Sequence, residues 1–166
     1  MAQSISDGDF FVQGTLGARV LRVPAGTILD AAVGGQAGID AAKLDHEHRL
    51  TYSQEAATNA ALDNKVVHVV AGTAGTLVAV EAGAVVAATG NALVKFDILK
   101  GGATVLASQI TLSAGIAAYS LVPGTISTAS LLDSNVLSVK VALASAGTGA
   151  LPKGIFASVR VTEDYA

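Results

Sequence analysis

Cysteine and tryptophan are both absent from the 166 residues. Without cysteine there is neither a disulfide framework nor a thiolate metal site, and the redox compartment is left open. Charge is scarce too: Asp, Glu, Lys and Arg make up 14% of the chain, against about 25% in an average soluble protein. So low a charge leads us to expect that much of the surface faces other protein. The net charge is −3 and the ten basic residues are scattered, which gives no electrostatic case for nucleic acid, whose phosphates call for clustered Lys and Arg. Aromatic residues reach only 4% while hydrophobic residues reach 51%. The apolar content is therefore mainly Ala, Val, Leu and Ile, and burial is spread over many small contacts. Mean hydropathy is +0.56, but Gly, Asp, Lys, Asn or Ser cuts every apolar run short of the about 18 residues that suggest a membrane span. No membrane partner is expected. Met1 to Asp9 is polar and acidic and lacks the basic and apolar regions of a secretory signal.

What is present divides the chain. Its length suits one domain plus an appendage, and a compact domain of this size buries roughly 70% of its unfolded surface. From Phe10 to Pro24 one or two short strands are expected, ending at Pro24, which cannot donate to a ladder. Val23 to His48 follows, rich in Ala and Gly and nearly devoid of large side chains. Such a segment cannot close a core of its own, but its small residues let backbones come close together. The Gly34–Gly35 pair makes a long helix costly, at close to 1 kcal/mol per Gly relative to Ala, although Asp40 can cap one turn running to Leu44. Ile28, Leu29, Val33, Ile39 and Leu44 stand between the small residues as spaced anchors. Residues 1–48 therefore read as an extended arm for oligomerisation and docking, and 49–64, with few large apolar residues, as a linker or long loop.

From Lys65 the text becomes a succession of strand-like runs separated by turn residues. The runs are Val66 to Ala71, Leu77 to Ala88, Leu93 to Leu99, Thr104 to Leu112, Ala118 to Val122, Val136 to Leu143 and Ile155 to Thr162. Leu137, Val139, Val141 and Leu143 alternate with Ser138, Lys140 and Ala142, and Ile155, Ala157, Val159 and Val161 do the same against Ser158, Arg160 and Thr162. That period of two belongs to a sheet with one buried face. The expectation is an all-β fold: an antiparallel β-sandwich, jelly-roll-like, over residues 65–166, preceded by the small-residue arm. Leu77 to Ala88 is long enough to bend at Gly83 and serve two sheets.

Chemistry is sparse. His46 and His48 point to one face of an extended strand, so this His-x-His pair is the candidate metal site, two imidazoles able to chelate one ion. His68, inside an apolar run, reads as a packed or edge histidine. No Ser sits in a Gly-x-Ser-x-Gly elbow, and with three histidines a nucleophilic triad has little to draw on. Glu81 and Asp97 lie in strand-like runs and suit a solvated face better than a pair of facing catalytic carboxylates. Gly72 to Gly75, and Gly101 with Gly102, lack the Lys-Ser or Lys-Thr of a phosphate loop and read as turns. No catalytic residue and no cofactor is expected, and the chain is read as a non-enzyme.

Pro24 to Leu44, with Ile-x-Asp-Ala-Ala-Val and Gly-Ile-Asp-Ala-Ala-Lys-Leu, resembles segments near the N-termini of tailed-phage virion proteins, including head fibres and capsid decoration (cement) proteins. Gly124 to Leu137 and Gly154 to Asp164 resemble the sandwich domains of such proteins. The motifs are compositional, and no functional residue carries over from them. The resemblance implies a homotrimer on the outer surface of a virion's capsid, bound to the major capsid protein and reinforcing contacts between capsomers. The alternative is a fibre or tail-tip module binding a host receptor or glycan, which is expected to display Trp, Tyr or Arg at a recognition patch.

Overall fold

The computed structural model describes residues 46–72, 74–145 and 148–164. The expected arm, with Ile28, Leu29, Val33, Ile39 and Leu44, lies outside the described residues. Among the described residues there is no helix, and ten strands follow one another: β1 (His46–Ser53), β2 (Asp63–Val69), β3 (Ala74–Val86), β4 (Ala92–Lys100), β5 (Ala103–Thr104), β6 (Ile110–Leu112), β7 (Val122–Pro123), β8 (Ser130–Leu132), β9 (Val136–Ser145) and β10 (Lys153–Asp164). They form two sheets. In the first the order is β1-β10-β3, with β7 and β8 both beyond β3; in the second it is β2-β9-β4, with β5 and β6 both beyond β4. Every pairing is antiparallel.

Side-chain alternation explains why the sheets share a core. Ile155, Ala157, Val159 and Val161 on β10 are buried, and Leu137, Val139 and Val141 on β9 are buried with them in one cluster that also takes Leu77 and Val80 from β3 and Val94, Phe96 and Ile98 from β4. Each of these Val, Leu, Ile and Phe side chains contributes about 1.5–3 kcal/mol when fully buried. Aromatics are few, and among the described residues the core holds one Tyr–Phe ring pair. Tyr52 of β1 meets Phe96 of β4 edge-on, centroids 6.2 Å apart and planes at 81°, the arrangement that aromatic quadrupoles favour.

β1 occupies residues expected to belong to the arm and linker. His46–Ser53 pairs with β10 along its whole length, and Leu50 and Tyr52 supply apolar surface to the core. The sequence 49–64 has few large apolar residues, but one ring at the right parity is enough to hold the strand. Residues 54–62 form the connection to β2, held by Gln54, whose Nε2 donates to Ala61 O (2.9 Å) and whose Oε1 accepts from Ala61 N (2.9 Å).

Three other expectations shift. β3 stays in the first sheet throughout and does not serve both. At Gly83 the missing Cβ makes room for neighbours: a Cβ there would lie 2.7 Å from Phe156 Cζ and 2.7 Å from Ser120 O. The run from Ala118 contributes only Val122 and Pro123 to a strand, because Tyr119 turns left-handed at φ 61° and donates its N–H to Ala84 O at 2.8 Å. The run Thr104 to Leu112 breaks between β5 and β6, where Val105 and Leu106 enter the core and Leu106 bridges Ile126.

Tyr52 also has a polar role. Its hydroxyl donates to Asp63 Oδ2 (2.8 Å) on β2 and accepts from Gln54 Nε2 (2.8 Å), so it ties the edge strand of one sheet to the edge strand of the other. Burial first, and then the Asp63 hydrogen bond, push its phenol up from 10.0 to about 12. Because the folded state holds this proton more tightly than the unfolded one, its contribution is complete below pH 10 and is lost as pH rises through 12. Urea titrations of the full chain should show up to about 2–3 kcal/mol of alkaline loss over that window, and Tyr52→Phe should remove this component. Gly83→Val should cost about 1–3 kcal/mol in the same assay, since one of the atoms it would strike is backbone.

Candidate functional site

Among the described residues one carboxylate is wholly enclosed. Glu163, near the end of β10, has a side chain with no solvent exposure, and it continues the inward parity of Ile155, Ala157, Val159 and Val161. Gly75, its cross-strand neighbour on β3, lets the β10 backbone approach closely here, since a Cβ there would lie 2.7 Å from Thr162 O.

Two imidazoles meet this carboxylate. His48 follows from parity alone: it shares the inward face of β1 with Leu50 and Tyr52, and its Nε2 lies 3.6 Å from Glu163 Oε2. His68 arrives by another route. The β2–β9 register slips between Val66 and His68, with Val67 as the extra residue, and such a bulge re-aims the side chains that follow it. Before the slip Asp63 faces inward toward Tyr52; after it the inward positions are His68 and the buried Val70. His68 Nε2 thereby hydrogen-bonds Glu163 Oε1, and the two rings lie 5.5 Å apart at 35°.

The physical consequence is a polar bridge between sheets. A carboxylate without solvent must be paired and hydrogen-bonded to remain in place, and the partners come from β1 beside it and from β2 in the facing sheet. Among the described residues His68 bonds only to Glu163, so no hydroxyl there is set up for activation by that imidazole. The arrangement can fasten strands of the two sheets to each other.

The sequence-derived sites fall as follows. His46 pairs in backbone register with Glu163, while its side chain lies outside the described residues. His48, the other member of the His-x-His pair, stands 3.6 Å from Glu163 through its Nε2. Among the described residues no three His, Cys, Asp or Glu side chains form a metal-holding group. Glu81 and Asp97 do not face each other: Glu81 lies on β3 opposite Ser158 and Pro123, and Asp97 on β4 in the other sheet. Asp97 is also buried, not solvated, because Thr104 Oγ1 (2.6 Å) and Gln109 Nε2 (3.4 Å) donate to its two oxygens. Glu163 was missed by reading for motifs. Extending the Ile155-to-Val161 alternation by one step would have found it.

No protein-family model, curated protein or solved structure matches the chain.

Removing one member of a buried pair strands the other, which typically costs about 3–5 kcal/mol, whereas replacing both with apolar groups is often neutral or stabilising. We therefore expect Glu163→Ala to lose stability on that scale in urea denaturation, and His68→Leu combined with Glu163→Leu to recover most of the loss.

Proposed function

We propose that the chain is a structural virion protein: a trimeric decoration protein that binds the outer surface of a phage capsid through the major capsid protein and reinforces contacts between capsomers. The observation that carries this reading is an exposed apolar patch on the second sheet. Val66 and Val69 on β2 and Val136 on β9 are exposed, and Val69 pairs directly with Val136 across the strands. All three point away from the core, and among the described residues β2 is an edge strand. Exposed apolar side chains on an open edge mark a surface for joining other chains. In a chain with 14% charged residues, that use agrees with the expectation that much of its surface faces protein.

Two features add support. The first four strands and the last three alternate between sheets, β1, β3, β8 and β10 in one and β2, β4 and β9 in the other, an order that suits a jelly roll, the architecture of many capsid and lectin domains. The small-residue segment before residue 46 resembles the N-terminal segments of virion proteins. Weak contacts from three such arms, held in one trimer, act at high effective concentration and bind strongly together.

Light scattering on the full chain should give a trimer mass that persists on dilution. A clean monomer at all concentrations would remove the trimer from this reading. Val69→Lys should shift the population toward monomer, and a chain lacking residues 1–44 should lose co-sedimentation with capsid shells; retained binding would sink the assignment of docking to the arm.

A further inference from the structure

The outer face of the first sheet carries an arrangement that assembly does not explain. Arg49 on β1 stands directly across from Arg160 on β10, and Arg160 stands across from Ala79 on β3. One step along the same face, Thr51 pairs with Ser158 and Ser158 with Glu81. Arg49, Ala79, Glu81, Ser158 and Arg160 line a groove of about 120 Å³ that opens to solvent. Ala79 leaves its floor low.

Like charges directly opposite one another on a sheet are unfavourable, and their neighbours relieve this pair only in part. Glu47 Oε1 lies 3.8 Å from Arg49 Nη2 and 3.9 Å from Arg160 Nε. Those distances attract, but they exceed hydrogen-bond length. Arg160 Nε is closed off from solvent and has no hydrogen-bond partner, the one such side-chain atom among the described residues. An enclosed donor without an acceptor asks for an explanation, and an absent ion or ligand is one of the standard ones.

We infer that this groove binds a hydroxylated monocarboxylate, of the class of an acidic sugar residue. A guanidinium presents a planar fork that fits a carboxylate with two parallel hydrogen bonds, and the two arginines together supply such forks on one side of the groove. Glu81 at the other side accepts hydrogen bonds only, so it selects hydroxyl donors, and Ser158 between them serves either role. Glu47 and Glu81 offset the two arginine charges, so a single negative charge is accommodated better than a doubly charged phosphate. This inference goes beyond the assembly reading and stands whether or not the chain is a trimer.

The test is amide NMR on the isotopically labelled full chain titrated with glucuronate, with glucose, acetate and inorganic sulfate as comparison ligands. Saturable shifts at Arg49, Ser158 and Arg160, in the millimolar range with glucuronate and at least 10-fold weaker with glucose, are expected. Arg160→Ala should weaken glucuronate at least 10-fold, its amide dispersion showing that the fold is retained; Glu81→Gln should weaken glucuronate but leave acetate unchanged. Absence of shifts, an unaltered response in Arg160→Ala, or sulfate binding as well as glucuronate would each overturn the inference.

Discussion

The two sheets are held together along one side by polar bridges, and the rest of the structure depends on them. Valine and alanine give a core many small contacts but little that fixes one sheet against the other at a unique position. The His68–Glu163 hydrogen bond and the Tyr52–Asp63 hydrogen bond do so, because each joins a strand of one sheet to β2 of the other and is satisfied only at one offset. Buried ionic groups are poor sources of net stability and are better attested as setters of register. That is the use this cluster fits. The Val67 bulge makes both bridges possible, since without it Asp63 and His68, five residues apart, would face opposite sides of β2.

Much of the fold was legible in the sequence because strand parity is a local signal. The inward sets of β9 and β10 can be read directly from Val136 to Leu143 and Ile155 to Thr162. β1 was hidden: its run His-Glu-His-Arg-Leu-Thr-Tyr-Ser carries charge at both Glu47 and Arg49 and only two apolar residues facing the core. β8, three residues long, lies in a Ser- and Thr-rich stretch with no alternation to read. The break between β5 and β6 depends on Leu106 meeting Ile126, a contact between loops that no local pattern encodes.

The candidate site was legible only in pieces. His48 drew notice through its spacing from His46, but the group it faces is 115 positions further along the chain, and motif reading does not reach that far. His68 was correctly placed as a packed histidine, yet its orientation depends on a bulge, and a bulge reverses the parity from which orientation is inferred. Asp97 failed as a surface residue for a related reason. Thr104 and Gln109 fold back over it, which makes an outward position on the sheet an enclosed one.

A two-sheet protein has two outer faces, and here they differ in chemistry. The second sheet presents valines at its β2 edge, where contact area alone provides the driving force and where exposed apolar surface is a hazard unless a partner covers it. The first sheet presents paired arginines and carboxylates around a groove, which in water gain little from one another and gain more when a ligand of matching geometry excludes solvent. The edges divide less sharply: β1 carries Glu47 and Arg49, charges of the kind that discourage strand addition, and β2 carries Asp63 and Lys65 ahead of its valines. If association runs through the valine edge, the arginine face is on another surface of the domain and is not consumed by that contact. The proposed association through one sheet and the proposed binding of a small acidic ligand on the other are in this way compatible within one domain.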